Sequence, residues 1–452
     1  MLRAKDLAYG VLNCVGRHTV TGFLASRGKL FEDWSADYRI FQGERMRVNA
    51  LFDTVRQVLI SQLPAKRPVF AHMDDTLLKK SGRKVAGTGW RRDPLGPPFH
   101  TNYIWGQRFL QLAISLPENH QGPCPAQSIP IALYHAPTVK KPKKTDDQAT
   151  WEVYKEKQKQ AKLSKQGVER VKVLREKLDL DGATDRPLVV SVDGSYSNET
   201  VLKALPDRTT LIGRIRKDTM LHRLPSSTRG IGRNRVYGDR LPTPEQIRQS
   251  EEYPWQEVIA FAAGKYHHFN VKVIRNIRWR KAGKQNLQLV VIRPLSYRLT
   301  KNSKLLYRKP AYLICTDPEM NIKQLLQAYV WRWGIEVNFR EEKTLLGCGQ
   351  AQVRTPVAVE KVPAFITAIY ALLQLAAYQT KQHNQQLPRA KWYPNKKATR
   401  PTTGDTINQL RAQLYAQSIK INFDHFVNLQ LVTRNRKNRP QTTYSPFLYC
   451  RK

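Results

Sequence analysis

A short apolar run that ends in a carboxylate constrains the fold more than any other feature of the sequence. The segment RPLVVSVDGSYSNETVLKAL (Arg186–Leu205) holds an apolar core, then Asp193, then Gly194, then a helical pattern. An apolar run of this length between turn signals is typical of a buried strand. RPVFAHMDDT (Arg67–Thr76) has the same texture and ends in two carboxylates. Both segments predict buried strands of an α/β sheet.

The order of the neighbouring elements supports this class. TNYIWGQRFLQLAISL (Thr101–Leu116) and SIPIALYHA (Ser128–Ala136) predict two further strands. A segment rich in Lys and Glu, Asp146–Leu178, predicts one long solvated helix whose residues Val168, Val171 and Leu174 face the sheet. RTTLIGRIR (Arg208–Arg216) predicts another strand. Three strands, a helix, a strand, a helix and a strand indicate a mixed sheet flanked by helices.

A β-rich stretch then interrupts this order. YHHFNVKVIRNIRWR (Tyr266–Arg280) and NLQLVVIRPLSY (Asn286–Tyr297) predict two strands joined by a hairpin turn. We therefore expect five segments: an N-terminal helical DNA-binding domain (1–66), the first part of an α/β core (67–216), a β-rich insertion (217–310), the second part of the core (311–382) and a basic C-terminal region (383–452).

The net charge of the chain indicates which class of partner it binds. The chain has 452 residues, with 76 Lys and Arg against 36 Asp and Glu, for a formal net charge of +40. Such an excess predicts a polyanionic partner, nucleic acid above all, with nonspecific binding of RNA or membrane as the alternative. The longest apolar run, Val362–Tyr378, is short for a membrane span and contains Thr367 and Gln374. We expect a buried core helix there, and no membrane partner.

The cysteine pattern and the N-terminal sequence indicate the cellular compartment. The five cysteines contain no CxxC pair, which argues against a zinc ribbon or a redox pair. The N-terminus lacks the apolar core of a signal peptide. A reduced cytoplasmic location is the expectation.

Two basic segments are candidate DNA contacts. GRHTVTGFLASRG (Gly16–Gly28) fits either the second half of a helix-turn-helix or an ordinary small helical bundle. The first interpretation makes Arg17 and His18 contacts to DNA. In KKPKK (Lys140–Lys144), Lys140 and Lys141 are expected in a solvated loop that touches phosphates.

Three carboxylates stand out by context. Asp75 and Asp193 end buried strands, where α/β sheets place their sites, and Glu336 lies on a late helix. A sheet and one helix bring such residues together to hold two Mg²⁺ ions, which serve phosphodiester chemistry. The alternative is that Asp74, Asp75 and Asp193 are ordinary turn or cap residues.

The segment AYVWRWGIEVNFREEKTLLG (Ala328–Gly347) adds a cationic stripe beside Glu336. In one continuous helix, Tyr329, Arg332, Glu336 and Lys343 share an arc of about 60°. Cations around a metal-binding glutamate suit a bound DNA phosphate, whereas Arg340, Glu341 and Glu342 are typical of surface charge. Trp331 and Trp333, which flank the arginine, are predicted either to stack on an unpaired base or to pack in the core.

The pattern Tyr329-x2-Arg332-x3-Glu336-x6-Lys343 resembles the Y-R-E-K signature of bacterial DDE transposases of the IS four-like superfamily. MDDTLLKKSGRKVAGTG (Met73–Gly89) and VVSVDGSYSN (Val189–Asn198) resemble the two aspartate regions of its IS seven-hundred-and-one-like branch. The resemblance covers residues 10–380. It implies an RNase H-like catalytic core with a β-rich insertion between the second aspartate and the glutamate.

The resemblance also implies roles. Asp75, Asp193 and Glu336 match the metal triad, and the choice of Asp75 over Asp74 follows the family's Asp-Thr pairing. Tyr329, Arg332 and Lys343 match DNA-contacting positions. A hairpin mechanism needs a residue that stabilises a flipped base, and Trp255 and Trp279 are further candidates for it.

The expected function is therefore cut-and-paste DNA transposition in the bacterial nucleoid. The protein would bind terminal inverted repeats, cleave the transposon ends with two Mg²⁺ ions (Mn²⁺ as a substitute) and join the 3′-hydroxyl to double-stranded target DNA. The active complex would be a homodimer, because two ends must be paired. The alternatives are a structure-selective nuclease on the same core and a non-catalytic DNA-binding protein derived from a transposase.

The charge excess makes a first prediction. Because bound Lys and Arg release counterions from DNA, affinity for duplex DNA should fall on the order of 10³-fold between about 50 and 200 mM salt. Fluorescence anisotropy with a labelled duplex measures this. A nearly flat salt dependence would contradict an extended phosphate-contacting surface.

Overall fold

The computed structural model describes residues 2–31, 33–43, 45–94, 96–97, 99–119, 122–225, 234–300, 302–380 and 401–416. The chain divides into two compact units. The helical unit comprises Met1–Val55, Leu78–Gly106 and Asn338–Lys452, and the sheet unit comprises Arg56–Leu77 and Gln107–Val337. Apart from α12 (Thr403–Ala416), most of the predicted basic C-terminal region lies outside the described residues.

The helices, in chain order, are α1 Leu2–Asn13, α2 Val20–Ala25, α3 Ser35–Arg39, α4 Val48–Gln62, α5 Gln148–Gln160, α6 Leu163–Leu180, α7 Glu199–Leu202, α8 Pro244–Gln249, α9 Ile322–Trp331, α10 Trp333–Thr344, α11 Pro356–Gln379 and α12 Thr403–Ala416. The strands are β1 Val69–Lys79, β2 Gly89–Arg92, β3 Tyr103–Pro117, β4 Ala126–Ala136, β5 Leu188–Val192, β6 Thr209–Arg214, β7 His222–Arg223, β8 Gln256–Ala262, β9 Lys265–Arg278, β10 Leu287–Ile292, β11 Ser296–Tyr297, β12 Leu306–Tyr307 and β13 Ala311–Cys315.

A large mixed sheet organises the sheet unit. Its strands follow the order β3-β1-β5-β6-β13-β10-β9-β7, with β4 on β3 and β8 on β9. The central strands β1, β5 and β6 are parallel, whereas β13, β10 and β9 pair antiparallel. All five residues of β5 are buried, as expected for a parallel strand that is covered on both faces. The α/β class with a mixed sheet is confirmed.

Helices cover the central strands. The predicted apolar stripe of α6 is confirmed, since Val168, Val171 and Leu174 are buried. Helix α9 packs its residues Leu325, Leu326 and Ala328 into a core cluster with apolar side chains of β5, β6 and β13. Burial of these apolar side chains is the main favourable term for this arrangement.

The single helix predicted for Asp146–Leu178 is wrong. The chain forms α5 and α6, which are separated at Ala161 and Lys162, and Lys162 has an extended backbone (ψ 128°). No residue of α5 is buried, so tertiary packing does not hold α5 on the axis of α6. The sequence signal was the polar composition of the first half, which lacks the apolar stripe of the second.

The β-rich stretch contributes strands to the same sheet. β9 and β10 form the predicted hairpin, and its turn contains a 3₁₀ segment (Arg280–Ala282) followed by Gly283 at φ +64°. β10 also pairs with β13, which joins this hairpin to β6. The predicted domain boundaries stay predictions.

The helical unit is built around α11. This helix is long and apolar enough to cross a membrane, but most of it is buried within the protein, so it does not indicate a membrane protein. The prediction of a buried core helix at Val362–Tyr378 is confirmed. Glu341 and Glu342, predicted as surface charge, are not on the surface. Glu341 accepts hydrogen bonds from Tyr370 (2.8 Å) and Thr403 (2.6 Å), and Glu342 is buried.

A close approach in the sheet unit fixes where α10 begins. A Cβ atom on Gly334, in the first turn of α10, would lie 2.5 Å from the Cβ of Ser128 on β4. Real side chains do not tolerate such a distance, so glycine is required for α10 to start against β4. Gly334 lies two residues from Arg332 and two from Glu336.

Gly334→Ala should therefore lower the free energy of unfolding by about 1–3 kcal/mol through overpacking. Ser128→Gly removes the opposing Cβ, so the double variant should be more stable than the sum of the single effects. Urea unfolding of the four proteins measures this coupling. As a control, Gly404→Ala on α12, where no neighbouring atom lies closer than 3.7 Å, should not destabilise the protein. Additive effects at residues 334 and 128 would contradict the steric argument.

Candidate functional site

The register of two parallel strands places two carboxylates side by side. β1 pairs with β5 so that His72 is opposite Ser191 and Met73 is opposite Val192. The next residues, Asp74 and Asp193, therefore lie level where both strands end their pairing. In a sheet, residues at the same level on neighbouring strands project to the same face. Burial raises the pKa of Asp74, and the charge of the neighbouring Asp193 raises it further.

The third carboxylate reaches this face from the helices. The Arg332 guanidinium, between α9 and α10, pairs with Asp74 (Nη1 to Oδ2, 3.3 Å) and with Glu336 (Nη2 to Oε1, 2.9 Å). The arginine side chain is only 13% exposed. Its Nε is buried and has no hydrogen-bond partner among the described residues. One cation thus links the carboxylates of β1 and α10.

A local break in the helix positions Arg332. The continuous helix predicted for this segment is wrong, because α9 ends at Trp331 and α10 begins at Trp333. At the break, the backbone N–H of Arg332 donates to Tyr329 O (3.2 Å), and that of Ile335 donates to Arg332 O (3.0 Å). These bonds span three residues instead of four and tighten the chain by a 3₁₀ step.

The end of α9 is anchored on the same face of the sheet. Ser191 Oγ donates to Ala328 O (3.3 Å), and the Trp331 indole donates to Cys124 O (2.9 Å) while its ring packs edge-on against Phe70 (5.4 Å). Trp331 therefore has a packing role. Trp333, by contrast, is exposed, and stacking on a base stays a prediction for it.

Asp75, the sequence-predicted ligand on β1, points the other way. Its Oδ1 accepts a hydrogen bond from Tyr196 (3.0 Å), and its Oδ2 pairs with Arg108 Nε (3.3 Å). Burial raises the pKa of Tyr196 far above its usual value, and the charge of Asp75 adds to this, so the phenol stays protonated and donates. The structure thus brings Asp74, and not Asp75, to Arg332 and Glu336.

Electrostatics distinguishes Asp74 from its neighbours. Burial raises its pKa to about 7, and the nearby Asp193 charge contributes, which together outweigh the opposing effects of the Asp75 N–H and of Arg332. His72 lies two residues earlier on the same face and bonds to Ser115 Oγ (2.6 Å). Burial lowers the pKa of His72 to about 3, so this imidazole is neutral at pH 7.

The other predicted contacts lie elsewhere. Tyr329 is half-buried, and the Arg332 guanidinium lies 5.7 Å from its ring centre. Lys343 belongs to the helical unit, where burial lowers its pKa. His18 is buried against Phe23, next to the N-cap of α2, which gives it a packing role. Arg17, Lys140 and Lys141 are exposed. Their contacts with DNA stay predictions.

The alternative tryptophan candidates lie in the sheet unit. Trp279 is buried, and Trp255 packs under the Lys272 ammonium at 4.4 Å. From the sequence, Asp74 was set aside in favour of Asp75, and Tyr196 and Arg108 were not identified as site residues. Phe70, His72 and Asp74 alternate along β1 as Val189, Ser191 and Asp193 do along β5, and the register of the two strands puts both series on one face.

The donor set suits a divalent cation. Carboxylate oxygens are the ligands that Mg²⁺ prefers, and a cation would relieve the mutual repulsion of Asp74 and Asp193. Within the described part of the chain, no three His, Cys, Asp or Glu side chains form a group that could hold a metal as they stand. Glu336 is already paired with Arg332.

The raised pKa of Asp74 predicts a pH-dependent stability. The folded state holds this proton up to about pH 7, whereas the unfolded chain releases it near its usual value of 3.8. The contribution of Asp74 to stability therefore declines as pH rises between these values and is constant above them. Asp74→Asn removes the ionisation. The free energy of unfolding of the variant, relative to that of the wild type, should therefore rise by about 1.4 kcal/mol per pH unit in this window.

Urea unfolding of both proteins at about pH 5 and pH 8, with a chelator present, measures the change. Asp207→Asn, which removes an exposed carboxylate outside this site, is the matched control variant. The same difference between Asp74→Asn and wild type at both pH values would show that Asp74 is not held in this environment.

Comparison with known proteins gives a family match for more than half of the chain. Residues 2–286 match a family model described as DDE superfamily endonuclease. A search of curated proteins gives no match.

Proposed function

This chain belongs to the DDE superfamily of endonucleases, which act on DNA, and we propose that it is a cut-and-paste DNA transposase. In this proposal it binds terminal inverted repeats, cleaves the transposon ends and joins the 3′-hydroxyl to target DNA, with a hairpin intermediate as one route. Two copies act together, because two ends are paired. Action in the bacterial nucleoid is part of the same proposal.

One observation carries the proposal. The parallel register of β1 and β5 sets Asp74 level with Asp193, and Arg332 holds Glu336 to Asp74 on the same face. The order β4-β3-β1-β5-β6, with parallel central strands, supports the RNase H-like core that the resemblance implies. The Y-R-E-K spacing supports membership in the IS four-like group.

We assign the carboxylate triad to Asp74, Asp193 and Glu336, in place of the triad with Asp75. These side chains would hold two Mg²⁺ ions, for which Mn²⁺ substitutes. When bound, the ions activate the attacking oxygen and stabilise the leaving oxygen.

The chain's own residues prepare this site. Arg332 pairs with two of the three carboxylates while DNA is absent and offsets part of their charge, and its planar fork is suited to grip a phosphate. On this proposal, incoming phosphate competes for the guanidinium and frees Glu336 to join the aspartates. Tyr329, beside the guanidinium, would limit where the phosphate lies.

The triad is tested with a donor plasmid that carries the gene between its native flanking DNA. With Mg²⁺, Asp74→Asn, Asp193→Asn and Glu336→Gln should each abolish cleavage, because metal charge drives the chemistry. Binding of the flanking duplex should persist in each variant, because phosphate contacts dominate affinity. Asp75→Asn is the matched comparison, one residue away on the opposite face, and should retain measurable cleavage.

The outcomes separate the candidates. If Asp75→Asn abolishes cleavage while Asp74→Asn does not, the assignment returns to Asp75. Joining of cleaved ends to a second plasmid distinguishes a transposase from a structure-selective nuclease. A wild-type protein that binds the flanking DNA but never cleaves it would support a non-catalytic DNA-binding protein.

A further inference from the structure

An exposed patch of aromatic and basic side chains lies on the β2–β3 pair of the helical unit. The antiparallel register places Trp90 opposite Trp105 and Arg92 opposite Tyr103. Paired residues, and residues two apart on one strand, share a face of the sheet. These four side chains therefore form one face, which together with Arg83 we call the aromatic platform.

The platform is held in place by its own contacts. The two indole rings meet edge-on at 5.5 Å. The Arg83 guanidinium lies over both, 5.7 Å from the Trp90 ring centre and 5.5 Å from that of Trp105. The Trp105 indole N–H donates to Gly82 O (3.2 Å), which ties the strand pair to the segment that carries Arg83. A cation is thus fixed beside two aromatic rings.

This patch is exposed to solvent despite its apolar area. Trp90 is 57% exposed and Tyr103 is 58% exposed. Large aromatic side chains normally bury most of their surface, and an exposed group of them marks an interaction site.

The surrounding charge narrows the class of partner. The segment Leu77–Arg92 contains six Lys and Arg, of which Lys80 is buried, and no Asp or Glu. A polyanion meets this charge, but phosphates alone do not use exposed ring faces. Unpaired nucleotides supply both groups, because each base offers a planar face and each link a phosphate. An acidic peptide would match the charge and leave the rings uncovered.

We propose that the aromatic platform binds unpaired single-stranded DNA. Bases stack on Trp90 and Tyr103, while Arg83 and Arg92 contact the phosphates. The proposal rests on the proposed function only in taking DNA as the nucleic acid. It assigns a single-strand site to the helical unit.

The test measures binding by the full-length protein with a chelator present, so that cleavage does not enter. Fluorescence anisotropy compares a labelled oligothymidylate of about 15 nucleotides with an abasic oligomer of the same length, which has the same phosphates and no bases. The wild type should bind the oligothymidylate about tenfold more tightly or better, since stacking of even one base has this effect.

Trp90→Ala and Tyr103→Ala should each remove most of that preference and leave affinity for the abasic oligomer unchanged. Tyr266→Ala is the control, because Tyr266 on β9 is also 58% exposed and lies outside the platform. Thermal melting checks folding, and a folded Tyr103→Ala variant decides the matter if Trp90→Ala is unstable.

Equal affinity of the wild type for the two oligomers would overturn the proposal, as would a preference that survives both substitutions. A platform that instead joins two copies of the chain would show a change in sedimentation with Trp90→Ala and no base preference, which also overturns it. Plasmid cleavage reports separately on the proposed function. A protein that cleaves without base preference retains that function and loses only this site.

Discussion

The parallel register of β1 and β5 is the constraint on which the candidate site depends. A shift of one residue between these strands would exchange Asp74 for Asp75 beside Asp193 and turn the facing side chains away from α9. The register is held by burial, since every residue of β5 is buried and the neighbouring strands share a core cluster with α9. Burial of apolar side chains elsewhere in these strands therefore fixes the positions of the carboxylates.

The second determinant is the compensation of buried charge. The Asp74 side chain is 17% exposed and stands next to another carboxylate, an arrangement that disfavours ionisation of Asp74. Arg332 offsets part of this cost and binds Glu336 at the same time. Its position follows from the 3₁₀ step between α9 and α10 and from Gly334, which lets α10 start against Ser128. Backbone geometry and electrostatics therefore act on the same few residues.

The side chains on the two faces of β1 make different contacts. Asp74 faces the helices that bring Arg332, while Asp75 faces Tyr196 in the turn that follows Asp193. The turn is further ordered by Asp193, whose Oδ1 accepts from the Ser195 N–H (2.9 Å). Adjacent carboxylates of similar chemistry are thereby separated into one that meets the candidate site and one that supports the loop behind it.

The sequence by itself determined the buried strands, the stripe of α6, the core helix α11, the β9–β10 hairpin and the three regions that carry the candidate carboxylates. Local pattern suffices for these, because apolar periodicity and turn residues act over a few positions. Only the tertiary structure decided between Asp74 and Asp75, since both end one strand and their roles depend on the register with β5. It also decided the break at Arg332, the burial of His18 and the separation of α5 from α6. The break at Arg332 and the burial of His18 depend on contacts between residues far apart in the chain, which override the propensities of the local sequence. Helix α5 separates from α6 for the opposite reason, because no residue of α5 is buried by tertiary packing.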